Sequence, residues 1–244
     1  MKLEICVFSI EDVISAVNAG AQRIELCASY LEGGITPSLA TITESFKYID
    51  PENIVVMIRP RGGNFIYTDA ELEIMQTDIL ICKKIGVLNV IFGIITETGK
   101  LNKEQNKKLI DLASPMHCTL QRAFDLTNDP MEALKDAIDC GFKRILTSGQ
   151  KNTALDGSVL IKELIKKAGN KIDILPGAGI TSANAEQLIM ETGCKEIHAS
   201  AKMIINENSN NKFAFRAGIY DYSKIIKTDP QEVKKLKSVT NKFN

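Results

Sequence analysis

Apolar positions along this chain follow two alternating rhythms. Short runs rich in β-branched residues occupy 3–8, 23–28, 53–60, 88–93, 117–124, 144–149, 171–179 and 196–201. Between them, apolar residues recur every three or four positions, as in Leu72, Met75, Ile79 and Cys82, or Leu134, Ala137 and Ile138. The first rhythm predicts strands and the second amphipathic helices. Gly20, Gly86, Gly141 and Gly193 each stand just ahead of the next run, where a helix C-cap belongs. Asp129–Pro130 and Asp229–Pro230 pair a capping residue with proline at the first helical position.

Eight strand–helix units without a break in composition predict an α/β fold, a single (β/α)8 TIM barrel spanning residues 1–244. A doubly wound sheet is the other home for such units, but eight repeats favour closure. After the eighth run the periodicity lapses through "NENSNN" and "AFRAGIYDYS" before a last helix from about 230. The stretch 202–228 therefore reads as a long loop. Its Phe213, Phe215, Tyr220 and Tyr222 predict that it packs as a lid over the barrel mouth, because free linkers are poor in aromatics.

Alternation within strands sorts side chains between the helix layer and the barrel axis. Leu3, Ile5 and Val7 must meet helices, so Glu4 and Cys6 face inward; Ile24 and Leu26 likewise turn Glu25 and Cys27 inward. The same count directs Met57, Arg59 and Arg61, then Thr119 and Gln121, then Glu196 and His198 toward the axis. A barrel interior is ordinarily aliphatic. Charges gathered there must satisfy one another or a ligand.

Barrel sites lie at the C-terminal ends of strands. There "RPRGG" offers Arg59 and Arg61 as forks for an anion or as partners of Glu4 and Glu25, with Glu25 the expected partner of Arg59. Arg122, Ser148, Gly177 and Gly179 complete a ring of polar or glycine tips suited to a phosphate. Glu25 as base and His198 as acid or second base would then serve an enzyme acting on a small anionic or phosphorylated substrate.

Thirty basic and thirty acidic residues cancel, which leaves no electrostatic case for nucleic acid or an anionic membrane. The start, "MKLEICVF", enters a strand directly, so no leader is expected. The six cysteines are scattered without a disulfide-type spacing, as in a reducing cytoplasm.

The blocks "RIELCASYLEGGITPS", "VMIRPRGGNFIYTDAE", "RAFDLTNDPMEAL", "RILTSGQ" and "EIHASA" resemble the CutC family, the copper homeostasis proteins, from about Glu4 to Ala201. The resemblance implies a TIM barrel, a cytoplasmic location, homo-oligomeric assembly as dimer or tetramer, and Cu(I) binding by two cysteines, here Cys6 and Cys27. Copper would be the bound ion, with Met57 as a possible third soft donor. The sequence departs from the family pattern at Gln121, where a histidine is usual, and at Asn64 and Phe8, where aspartates are common.

Overall fold

The computed structural model describes residues 1–206, 216–217, 220–221 and 224–243. Eight parallel strands form a nearly closed barrel: β1 Lys2–Val7, β2 Arg23–Leu26, β3 Ile54–Met57, β4 Asn89–Phe92, β5 His117–Leu120, β6 Arg144–Thr147, β7 Asp173–Pro176 and β8 Glu196–Ala199. Neighbours pair in chain order and β8 returns to β1, leaving the seam between β7 and β8, which lie side by side. The helices are α1 Ile10–Asn18, α2 Leu39–Ser45, α3 Asp69–Lys84, α4 Lys103–Ala113, α5 Pro130–Cys140, α6 Ser158–Ala168, α7 Ala185–Thr192 and α8 Pro230–Asn241.

The helix boundaries follow from local chemistry. Thr68 and Glu71 form a capping box at α3. Asp129 and Asp229 cap α5 and α8 ahead of Pro130 and Pro230. Gly141 and Gly193 end α5 and α7 in the left-handed region, where a side chain would be strained.

Most strands stop earlier than the apolar runs suggest, after four residues. The runs continue because the loops themselves fold onto the core: Ile58, Ala123 and Phe124 are buried beyond the ends of β3 and β5. The outward faces of the strands form one large core with the helices, including Leu3, Ile24, Val56, Phe92 and Ile145. A smaller apolar plug of Val55, Met57, Ile91, Leu146 and Leu175 fills the axis beside Cys6 and Cys27. Strands and loops thus set polar side chains on a firm floor.

The stretch predicted as an irregular loop begins and ends as regular structure. A ninth strand, β9 Lys202–Asn206, pairs antiparallel with β12 Lys224–Thr228, and between them β10 Arg216–Ala217 pairs with β11 Tyr220–Asp221. The ribbon's root is tied down, since Thr228 N–H donates to Asp12 (2.7 Å) and Asp229 N–H to the Ala201 carbonyl (2.7 Å). Phe213, Phe215 and Tyr222, on which the lid expectation rests, and the Tyr220 side chain lie outside the described residues. Among those described, no helix is long and apolar enough to cross a membrane.

Candidate functional site

The site is assembled by the first, second and eighth strands, whose register brings Glu4 opposite both Arg23 and His198, and Cys6 opposite Glu25. At its base lies a buried ionic lattice. Arg23 donates to Glu4 and to Glu196 (2.7 Å), and Arg144 donates to the other Glu196 oxygen (2.6 Å). Above it His198 Nδ1 meets Glu4 at 2.7 Å, while its Nε2 lies 3.8 Å from Glu25.

The two thiols sit beside this dyad. Cys6 Sγ is 3.9 Å from Cys27 Sγ, and Cys27 Sγ is 3.6 Å from Glu25 Oε2. Ligand atoms of Cys6, Glu25 and Cys27 all fall within 4.8 Å of one another, and all three residues are buried. Gly34 closes the thiol side. A Cβ there would lie 3.0 Å from Cys27 Sγ and 3.6 Å from Met57 Cε, so the loop hugs both sulfurs.

The protonation states follow from these contacts. Burial pushes the Glu4 carboxyl up, but Arg23, His198 and Arg144 outweigh it and hold Glu4 well below the usual carboxylate range. Burial, with repulsion from Glu4, raises Glu25 despite the neighbouring imidazole. Burial works against the His198 imidazolium, yet Glu25, Cys6 and Glu4 prevail and raise it well above its ordinary value. Contact with Cys27 and then burial raise the Cys6 thiol, and burial pushes Cys27 up to about 11. These contacts therefore favour protonated thiols and an imidazolium anchored by Glu4, and make Glu25 harder to ionise than an ordinary carboxyl. The thiols can lose their protons to a soft metal, with Glu25 and His198 as the adjoining titratable groups.

The residues fit Cu(I). Their sulfur separation is below twice a metal–sulfur bond of about 2.3 Å, so one ion reaches both with a bent arrangement. The donor set of two thiols with a nearby thioether is soft.

A cleft of about 510 Å³ opens above the cluster, with Cys6, Glu25, Gln121 and His198 at its base and Phe8, Tyr30, Met57 and Phe65 among its walls. Phe8 stacks edge-on against Tyr30, with ring centres 5.3 Å apart, so this departure from the family pattern serves as wall. A smaller depression of about 330 Å³, around Lys2, Arg23 and Arg144, marks the opposite end of the barrel.

The arginines of "RPRGG" are placed differently from expectation. Arg59 does not meet Glu25. It is buried, and it donates to the carbonyls of Glu32 (2.8 Å), Gly34 (2.9 Å) and Gly63 (2.7 Å), with its guanidinium 4.7 Å from the Phe65 ring centre. Loop carbonyls without backbone partners take up its two terminal nitrogens, leaving Nε buried without a partner, and the charge opposite Glu25 is His198. Arg61 is spent on Glu71 (2.5 Å) and the Ile66 carbonyl (2.8 Å), and Asn64 accepts from it at 3.2 Å. Arg122 bonds Asp125 (2.8 Å) and Ser148 (3.0 Å), but it still borders the cleft. Ser148 is fully buried within that network. Gly177 makes room for His198, whose Cδ2 would lie 3.2 Å from a Cβ there, and Gly179 lines the cleft.

Two contributors escaped the sequence reading, Arg23 and Gly34. Arg23 precedes Glu25 by two positions on the same strand face, and that spacing was the available signal for the counter-ion of Glu4.

A TIM barrel with a buried thiol–carboxylate–imidazole cluster opening at its strand C-termini is the class these features define. The sequence specifies more. The CutC family model matches residues 1–203, and the chain belongs to the CutC family. A mouse relative named copper homeostasis protein cutC homolog is 43% identical over 86% of this chain and 76% of its own length. A Parabacteroides distasonis family protein CutC is 40% identical over 95% of this chain and 97% of its own. The crystal structure of a copper homeostasis protein CutC from Streptococcus agalactiae superimposes with a TM-score of 0.78 at 32% identity, covering 82% of this chain and 98% of that one.

Proposed function

We propose that the protein binds Cu(I) through Cys6 and Cys27 as part of cytoplasmic copper homeostasis. The observation that carries this reading is the 3.9 Å approach of two buried thiols on adjacent strands, with Met57 beside them. Six free, buried cysteines suit a reducing compartment. Both sulfurs give up protons on binding, and Glu25 and His198 are the titratable groups adjoining them. Bound copper would supply a soft, redox-active centre; the chain's own part is to hold two sulfurs on rigid strands under an apolar wall. Assembly as a homodimer or homotetramer, measurable by light scattering, belongs to the same reading.

The test is an anaerobic titration with Cu(I) against a chromogenic chelator. Replacing both Cys6 and Cys27 by Ser should weaken binding by more than about 100-fold, because changes around a metal's ligands alone cost 10–100-fold. Circular dichroism should stay unchanged. Undiminished stoichiometric binding by the folded double variant would remove copper from these residues.

A further inference from the structure

The mouth of the cleft carries donors that the thiol pair does not use. At the ends of β7 and β8 the chain turns with Ala178 at φ +85° and Ala201 at φ +41°, in the left-handed region that residues other than glycine seldom enter. Among the described residues, the backbone N–H groups of Ala178, Gly179 and Ser200 and the Ser200 hydroxyl meet no protein partner. All three residues line the cleft. Lys202, two positions past Ser200, lines the same wall with its ammonium 4.5 Å from the Tyr30 ring centre and bonded to the Tyr30 hydroxyl.

A separate observation comes from the base of the cleft. Gln121 is 3% exposed, lines the cleft, and its amide nitrogen has no acceptor. A buried N–H without a partner is unusual in a settled core and marks a place where a ligand atom belongs. The unspent groups of the upper wall are donors, with the Lys202 ammonium beside them on Tyr30, while at the base Glu25 Oε1 is an acceptor without a partner. Those donors call for a ligand with negative charge and several acceptor oxygens.

We infer that the cleft binds a small phosphate monoester, with its phosphoryl oxygens on the Ala178, Gly179 and Ser200 amides and its organic part directed toward Gln121. Small side chains let an oxyanion reach the backbone donors, and the Lys202 ammonium, held on Tyr30, supplies counter-charge at the same mouth. The tips of the seventh and eighth strands are where barrels of this architecture hold phosphate. A volume of about 510 Å³ accommodates a small metabolite, and the apolar walls of Phe8 and Phe65 shelter its carbon skeleton. No sulfur contributes, so the site is independent of the copper reading.

The experiment is calorimetric titration of the whole protein with inorganic phosphate and with glycerol 3-phosphate, at an ionic strength held constant with sodium chloride. Saturable binding is expected for both, tighter for the ester. Ser200→Asp, which sets a carboxylate among the amides, should weaken both by about tenfold or more, the loss expected when a charge-assisted contact becomes a repulsion. Lys202→Glu, at the surface, should weaken both about threefold or more with the same melting temperature, and it decides the matter if Ser200→Asp does not fold. Heats no different from chloride alone would overturn the inference. So would retention in both cleft variants with loss in Lys195→Glu, which would move the anion to the opposite end of the barrel.

Discussion

Arg59 is held by neutral acceptors rather than by a carboxylate. Its three bonds staple the loop after β2 to the loop after β3, and that work needs a planar fork with several donors. Removing the side chain leaves three carbonyls short of partners beneath Phe65. With buried unsatisfied groups costing about 1–3 kcal/mol each and water able to reach some of them, Arg59→Ala should lower stability by about 2–4 kcal/mol. Arg61→Ala should cost under about 1 kcal/mol, because the Arg61 side chain in its pair with Glu71 is more than a third exposed and screened by solvent. Urea unfolding of the two variants measures the difference; equal losses would mean that Arg59 is no staple. Gly34 sets a second test. At φ +91°, with a Cβ position 3.0 Å from Cys27 Sγ, Gly34→Ala should cost about 1–2 kcal/mol of backbone strain and displace one sulfur. A Gly34→Ala variant with unaltered stability and Cu(I) affinity would show that the loop does not brace the thiols. That Arg59 follows directly on the buried β3 was legible from the apolar run, but its partners were not, since loop carbonyls leave no mark in a pattern of side chains.

Strand β1 carries more of the site than any other element. Its inward residues tie Arg23, His198 and Cys27 together, and its outward Leu3, Ile5 and Val7 anchor it in the core. Glu4 is the hinge of that arrangement. Its folded pKa is depressed, so its contribution to stability is complete above the ordinary value of 4.5 and is lost as pH falls toward the folded one. Glu4→Gln leaves Arg23 and His198 short of a buried counter-charge, a change that costs about 3–5 kcal/mol in comparable pairs. The gap in denaturation midpoint between wild type and Glu4→Gln should be wide at pH 6 to 7 and narrow steadily below pH 4.5. A gap that stays constant down to pH 3 would mean Glu4 is not the ionised partner. Alternation showed Glu4, Cys6, Glu25 and Cys27 facing one axis because period two is unambiguous over six residues with a clean apolar face. Which acid pairs with which base was hidden, because it depends on register between β1, β2 and β8, and register is set by the whole barrel.

At the scale of the molecule, the eightfold repeat was legible because each unit carries its own strand run, helix period and cap. The ribbon of β9 and β12 was not, because its two strands pair across an intervening stretch of mixed polar and aromatic residues that carries no clear period. All six cysteines are buried free thiols, and burial pushes Cys82 and Cys118 up to about 12. At pH 8 a thiol with a pKa near 12 is about one part in ten thousand thiolate, the form that reacts. Cys6 alone among the described cysteines lines the open cleft, while Cys27 lies behind it at 1% exposure. An aromatic disulfide reagent at pH 8 should therefore modify Cys6 slowly from the cleft, with Cys194 reachable only from the depression at the opposite end, and the other four thiols only on unfolding. Pre-loading with Cu(I) should protect that first thiol, and Cys6→Ser should abolish its phase without changing the rest. Equally fast modification of several thiols in the native state would mean that the barrel opens far more readily than its packing implies. The copper reading would then lose the rigid, preformed pair of sulfurs on which it stands.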